Sequence, residues 1–140
     1  MAMRRWQSWG LCMLAALLLA GCASTGKQAA ELQRAQYAWS AAIRWGDFEG
    51  AWHMVDPARR ESHPLGELEF ERYRQVQVSH YRELAERPGE AEAAREIEIG
   101  LINRHTMAER TLRYTEQWRY DPAAATWWIT GGLPDFWAGE

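Results

Sequence analysis

The sequence predicts an α+β fold in which N-terminal helices pack on a curved antiparallel β-sheet. Apolar residues recur at helical three-and-four spacing between residues 29 and 55. From about residue 75 to residue 130 the period changes to two. The period-two runs are joined by turns too short for a parallel crossover, so consecutive strands are antiparallel neighbours. Helices first and strands after is the α+β order. A chain of 140 residues has room for one compact domain.

The first 21 residues read as a cleaved signal peptide rather than as part of that domain. Arg4 and Arg5 form a positive n-region, and Leu11 to Ala20 is an uncharged Leu/Ala-rich h-region. A spanning helix needs about 20 mainly apolar residues, and Gln7, Ser8, Gly10, Gly21, Ser24, Thr25 and Gly26 dilute both ends. Leu19-Ala20-Gly21-Cys22 resembles the bacterial lipobox. That resemblance implies that the Cys22 thiol receives diacylglycerol, that the chain is cut before Cys22, and that the new amine is acylated. Cys12 lies inside the h-region and leaves with it. Ala23 in place of an Asp after the cysteine resembles the sorting pattern of the outer membrane. The resemblance therefore implies an envelope protein of a Gram-negative bacterium, lipid-anchored in the inner leaflet of the outer membrane and facing the periplasm. Acyl chains contribute roughly 0.8 kcal/mol per buried methylene, so several on one cysteine hold without a spanning helix.

Residues 22–28 are small and polar and read as a flexible tether, and residues 29–140 as the single domain. From Ala29 to Trp45, Leu32, Ala35, Trp39, Ala42 and Ile43 trace one buried helical stripe. Gly46-Asp47 is a stop followed by an N-cap. Phe48, Ala51, Trp52 and Val55 mark a short second helix that Asp56-Pro57 ends. A polar loop follows over 58–64, and Pro64 opens a third helix to about Tyr73. Val76, Val78 and Leu84 share one parity in the first strand, over about 75–84. Arg87-Pro88-Gly89-Glu90 turns the chain. Ile97, Ile99 and Leu101 alternate with Glu96, Glu98 and Gly100 in the second strand. Leu112, Tyr114, Trp118 and Tyr120 line one face of the third. Asp121 to Ala125 turns into a last strand at Thr126–Thr130, and Leu133 to Trp137 forms a tail.

This order, with Trp45-Gly46-Asp47-Phe48-Glu49-Gly50-Ala51-Trp52 after the first helix and Trp127-Trp128-Ile129 in the closing strand, resembles the nuclear transport factor 2-like (cystatin-like) superfamily. The resemblance spans nearly all of residues 29–137 and implies a sheet curled into an open cone. That fold carries isomerases, dehydratases and non-catalytic modules alike, so it does not choose a function.

The net charge of −3, without a basic run, argues against nucleic acid as a partner. With Cys22 acylated no thiol is left for redox work or a thiolate metal site, and neither a cofactor nor a metal is expected. His53 and Asp56 are three apart on a helix but read as its polar face, and His63 and His105 fall in loops. Glu116 breaks the apolar row of Leu112, Tyr114, Trp118 and Tyr120, and His80 interrupts that of Val76, Val78 and Leu84. Inside a cone both would be candidate acid/base groups, Glu116 with its pKa raised by desolvation. The plainer reading turns Glu116 outward through a bulge or leaves it at a wet cone mouth. Tyr114, Trp118, Tyr120, Trp127 and Trp128 are candidates for a pocket wall or partner surface, and Trp127 and Trp128 must face opposite sides. The reading that follows is a non-catalytic binding or assembly module. Its partner would be an envelope protein or a small apolar ligand, and an exposed sheet face would also allow a homodimer. The alternative is a small-molecule binder or isomerase/dehydratase-like enzyme with Glu116 as acid/base.

Overall fold

The computed structural model describes residues 3–139, with side chains described from residue 24 onward. The lipidation expected at Cys22 concerns a side chain outside the described residues. Among the described residues four helices precede four strands: α1 (Met3–Trp45), α2 (Phe48–His53), α3 (Pro57–Ser62), α4 (Glu67–Arg74), β1 (Val76–Arg87), β2 (Glu92–Asn103), β3 (Glu109–Asp121) and β4 (Thr126–Ile129). The strands form one antiparallel sheet in the order β1-β2-β3-β4. Helices cover one of its faces, so the chain is α+β. Among the described residues no helix is long and apolar enough to cross a membrane.

The backbone of residues 22–28, expected as a flexible tether, continues α1 without a break. Gln28 already docks: its Nε2 donates to the Glu90 carbonyl, and Trp127 Nε1 donates to the Gln28 carbonyl at 3.1 Å. The Lys27–Glu31 pair one turn apart supports this stretch. Further along, Leu32, Trp39 and Ile43 face the sheet and are buried. Gly46, at φ +75°, ends α1 as a left-handed cap, and Asp47 accepts the Gly50 N–H at 2.9 Å to start α2.

Two helix boundaries differ from the sequence reading. Asp56-Pro57, read as a stop, also starts α3 within the expected loop. Proline at the first helical position costs no hydrogen bond, and the Asp56 carboxylate accepts the Ala58 N–H at 3.0 Å. The next helix, α4, begins at Glu67 rather than Pro64, because the Glu69 carboxylate accepts the Gly66 N–H at 2.9 Å and fixes the start there.

The inner face of the sheet carries two long rows, Ala93, Arg95, Ile97, Ile99 and Leu101 of β2 opposite Trp118, Glu116, Tyr114, Leu112 and Arg110 of β3. Beyond them Trp118 pairs with Ile129 and Tyr120 with Trp127. The β4 edge is closed by a parallel bridge from Val55 to Ile129, with Asp56 N–H on the Ile129 carbonyl at 2.8 Å. Strand β1 is bulged twice, between Val78 and His80 and between Glu83 and Ala85. Each bulge flips the parity. Tyr81 therefore turns inward, whereas His80 lies on the outer face and Leu84, expected in the core, is 39% exposed. Gly100 makes the first bulge possible, since a Cβ there would sit 2.3 Å from both Ser79 Oγ and His80 Nδ1.

The C-terminal segment is no loose tail. Phe136 is fully buried, with ring contacts to Phe48 and Tyr73, and the Tyr73 hydroxyl donates to the Pro134 carbonyl at 3.0 Å. Trp137 packs on Tyr73 and receives the Arg72 guanidinium over its ring at 3.8 Å.

Candidate functional site

Glu116 points inward, as the parity of β3 requires, and its side chain has no exposed surface. It does not stand among bare aromatic rings. Arg95, directly across on β2, donates through Nε at 2.9 Å and Nη2 at 2.7 Å, both to Oε2. Trp118 Nε1 donates to the same oxygen at 3.1 Å. The hydroxyls of Tyr81 and Tyr114 donate to Oε1, Tyr114 from 3.2 Å. Arg95 is held in turn by the Glu83 carboxylate at 3.1 Å and by the Gln36 carbonyl of α1 at 3.4 Å.

Burial pushes the Glu116 carboxyl up to about 8, with the Trp118 N–H pulling against it. The Arg95 guanidinium, 2.7 Å away and itself 8% exposed, pulls in the same downward direction and favours the charged carboxylate. Desolvation lowers Arg95 and the neighbouring Glu83 raises it. Tyr114 is pushed above the ordinary phenol range by burial. Every oxygen of Glu116 is thus occupied by donors, and no lone pair is offered to a substrate. The cleft that touches this part of β3, between Tyr114–Gln117 and Gly131–Asp135, measures about 200 Å³. Small-molecule sites start at about 300 Å³. This is the geometry of a structural ion pair.

His80 is brought nowhere near Glu116. Its ring lies across Gly100 on the outer face, with Nε2 3.9 Å from Glu98. Glu98 is the hub of that face: Arg82 bonds one carboxylate oxygen, and Arg113 bonds the other from 3.1 and 3.2 Å. These hydrogen bonds hold the Glu98 carboxyl below its usual range. His53 is exposed, while Asp56 is committed to the Ala58 N–H and to Arg119, whose Nη2 is 2.6 Å away.

The aromatic residues named as candidates for a pocket wall or partner surface are divided between the two faces. Trp118 and Trp127 are buried in the core, Tyr114 and Tyr120 pack beside them, and Trp128 is on the outer face opposite Arg119. Trp39, edge-on to Trp118 at 6.2 Å, fills the space beneath the sheet. The larger concavity is elsewhere. A cleft of about 460 Å³ opens on the outer face where β2, β3 and the end of β4 meet, lined by Arg87, Glu92, Ala94, Gln117, Arg119 and Thr130.

Arg95 and Tyr81 are the residues that the sequence reading missed. Arg95 had a visible signal, since it shares the parity of Ile97, Ile99 and Leu101 and so belongs to the buried row. Tyr81 had none, because the bulge at Ser79 reverses its parity.

No protein-family model matches the chain, and no curated protein matches its sequence. Among solved structures, the solution structure of a SEC-C motif containing protein from Rhodopseudomonas palustris is similar in fold, with a TM-score of 0.55. The identity is 17%, and the match covers 69% of this chain and 72% of that one. At that identity the likeness extends to the fold alone.

Proposed function

We propose that the chain is a lipid-anchored, periplasm-facing envelope lipoprotein whose nuclear transport factor 2-like domain is a non-catalytic binding or assembly module. The observation that carries the reading is Leu19-Ala20-Gly21-Cys22, placed directly behind an uncharged h-region. The order of helices and bulged strands supports the cone-type fold. In this case the space inside the curve is taken by Trp39, Trp118, Phe136 and the Glu116–Arg95 pair. With the interior filled, the outer sheet face and its cleft of about 460 Å³ are the surface left for a partner. Ala23 after the cysteine supports the outer membrane as the site of anchoring.

The test is Cys22→Ser in the native host. The wild-type product should incorporate labelled palmitate and begin at residue 22 by mass. The variant should incorporate none and accumulate at precursor size. A wild-type product that keeps Met1 and carries no acyl chain would overturn the reading. Crosslinking of the anchored protein, followed by mass spectrometry, then asks which envelope component lies against Ala94, Gln117 and Thr130.

A further inference from the structure

From the distance between the lipidated cysteine and the point where the chain docks, we infer that one defined end of the domain faces the bilayer surface. This rests on the lipoprotein reading above. Only residues 23–27 separate Cys22 from Gln28. As helix that step spans about 9 Å, and even fully extended it cannot exceed about 21 Å. Gln28 is fixed to the body by its bond to the Glu90 carbonyl and by the 3.1 Å bond from Trp127 Nε1 to its own carbonyl.

The topology decides which end that is. The β1–β2 turn at 88–91 and the β3–β4 turn at 122–125 lie at the same end of the sheet, with the Tyr120 N–H on the Ala91 carbonyl at 2.8 Å. Both flank Gln28. The β2–β3 turn at 104–108 lies at the other end, where the Arg104 N–H meets the Gln75 carbonyl at 3.0 Å. A strand of the length of β2 separates the two ends, 12 residues or about 40 Å. That exceeds the reach of the spacer, so the domain cannot turn its far end to the membrane. The 88–91 and 122–125 turns sit at headgroup level, and Met107, 71% exposed at the β2–β3 tip, points into the periplasm.

Charge does not produce this orientation. Glu86, Glu90, Glu92 and Asp121 outnumber Lys27, Arg87 and Arg119 at the bilayer end, so an anionic surface repels rather than draws it. The length of the spacer holds it there, and the orientation is therefore insensitive to salt.

The experiment uses the lipidated protein in vesicles of phosphatidylethanolamine and phosphatidylglycerol with a nitroxide-headgroup lipid. Single thiols introduced by Glu90→Cys, Ala124→Cys and Met107→Cys carry the same fluorophore. Quenching several-fold stronger at 90 and 124 than at 107, unchanged by salt and abolished by a flexible Gly/Ser insert after Thr25, is the expected result. Flotation with the vesicles but equal quenching at all three sites overturns the orientation and leaves the anchor standing. Failure to float overturns the anchor and the orientation with it.

Discussion

Replacing Arg95 by methionine removes the counter-charge from a carboxylate that has no exposed surface, while keeping a side chain of similar length in the core. At an effective dielectric of about 20, unit charges 4 Å apart interact by about 4 kcal/mol. Breaking buried pairs from one side costs about 3–5 kcal/mol. Glu116 keeps the Trp118 and tyrosine donors in the variant, which places the loss near the lower figure, approaching about 3 kcal/mol well above pH 8. The pH dependence follows from the same group. Without Arg95 the upward push of burial, which already holds the wild-type carboxyl at about 8, loses its main opponent, and the folded variant keeps its proton to higher pH than wild type. A carboxyl raised on folding contributes stability that is present at low pH and lost as pH rises through its folded value. Relative to wild type the variant should therefore lose up to about 1.4 kcal/mol per pH unit as pH rises above about 8.

Urea unfolding of the chain from residue 22, with Cys22→Ser for solubility, measures this at pH 6, 8 and 9.5. Adding Glu116→Gln to Arg95→Met supplies the control. A neutral amide needs no counter-charge, and its carbonyl can still accept from Trp118 or a tyrosine. The double variant should recover to within about 1–2 kcal/mol of wild type and lose the pH slope. Equal destabilisation of Arg95→Met at pH 6 and pH 9.5, or no recovery in the double variant, would refute the charge argument and leave Arg95 as packing alone.

Asp56→Ala should cost about 1–2 kcal/mol, the cap of α3 plus a discounted ion pair with the half-exposed Arg119, read by urea midpoint. Burial lifts the Asp56 carboxyl, but Arg119, the Ala58 N–H and Arg60 outweigh it and set the net value below 3.8. Its contribution is therefore present above about pH 4 and disappears as pH falls through the folded value. Thermal melts of wild type and variant should converge toward pH 2–3 and separate by pH 6. Phe136→Ala empties a fully buried ring site and should cost about 3–4 kcal/mol. It should also free the 133–139 segment to proteases before global unfolding, checked by limited proteolysis and the mass of the released peptide.

The two ends of the domain were legible to different degrees. The rows of β2 and β3 follow from alternation because those strands are paired continuously, without a bulge. Glu116 could therefore be placed inside from its parity. Its plain reading, outward or wet, fails because the partner of the carboxylate lies not along β3 but across it, at Arg95 in the inner row of β2. In β1 the same arithmetic misleads. Two extra residues reverse the faces, so His80 and Leu84 land outside and Tyr81 inside. The signal of the first bulge is Gly100 on the neighbouring strand, a long-range cause that no local period contains. Asp56-Pro57 carried both of its meanings in two letters, since the pair that cannot continue one helix is well suited to begin the next. The burial of the tail was hidden because Leu133 to Trp137 has neither helical nor strand periodicity to read.

A buried charged pair is weak evidence for stability, because methionine and leucine would fill the same space without desolvating two ions. What Arg95 and Glu116 do distinctively here concerns register. They are direct partners in the β2–β3 ladder, in the middle of otherwise apolar inner rows. A slip of one residue would turn one row outward and is opposed by hydrophobic burial alone. A slip of two keeps both rows facing inward, and among Ile97, Ile99, Tyr114 and Leu112 the apolar packing distinguishes such alternatives poorly. The charges do not. Two residues of slip would set Arg95 opposite Tyr114 or Trp118 and leave Glu116 facing Ile97 or Ala93, stranding two buried ions. The pair penalises the one error that the hydrophobic pattern permits, and with the Gln36 contact it fixes the seat of α1 on that register.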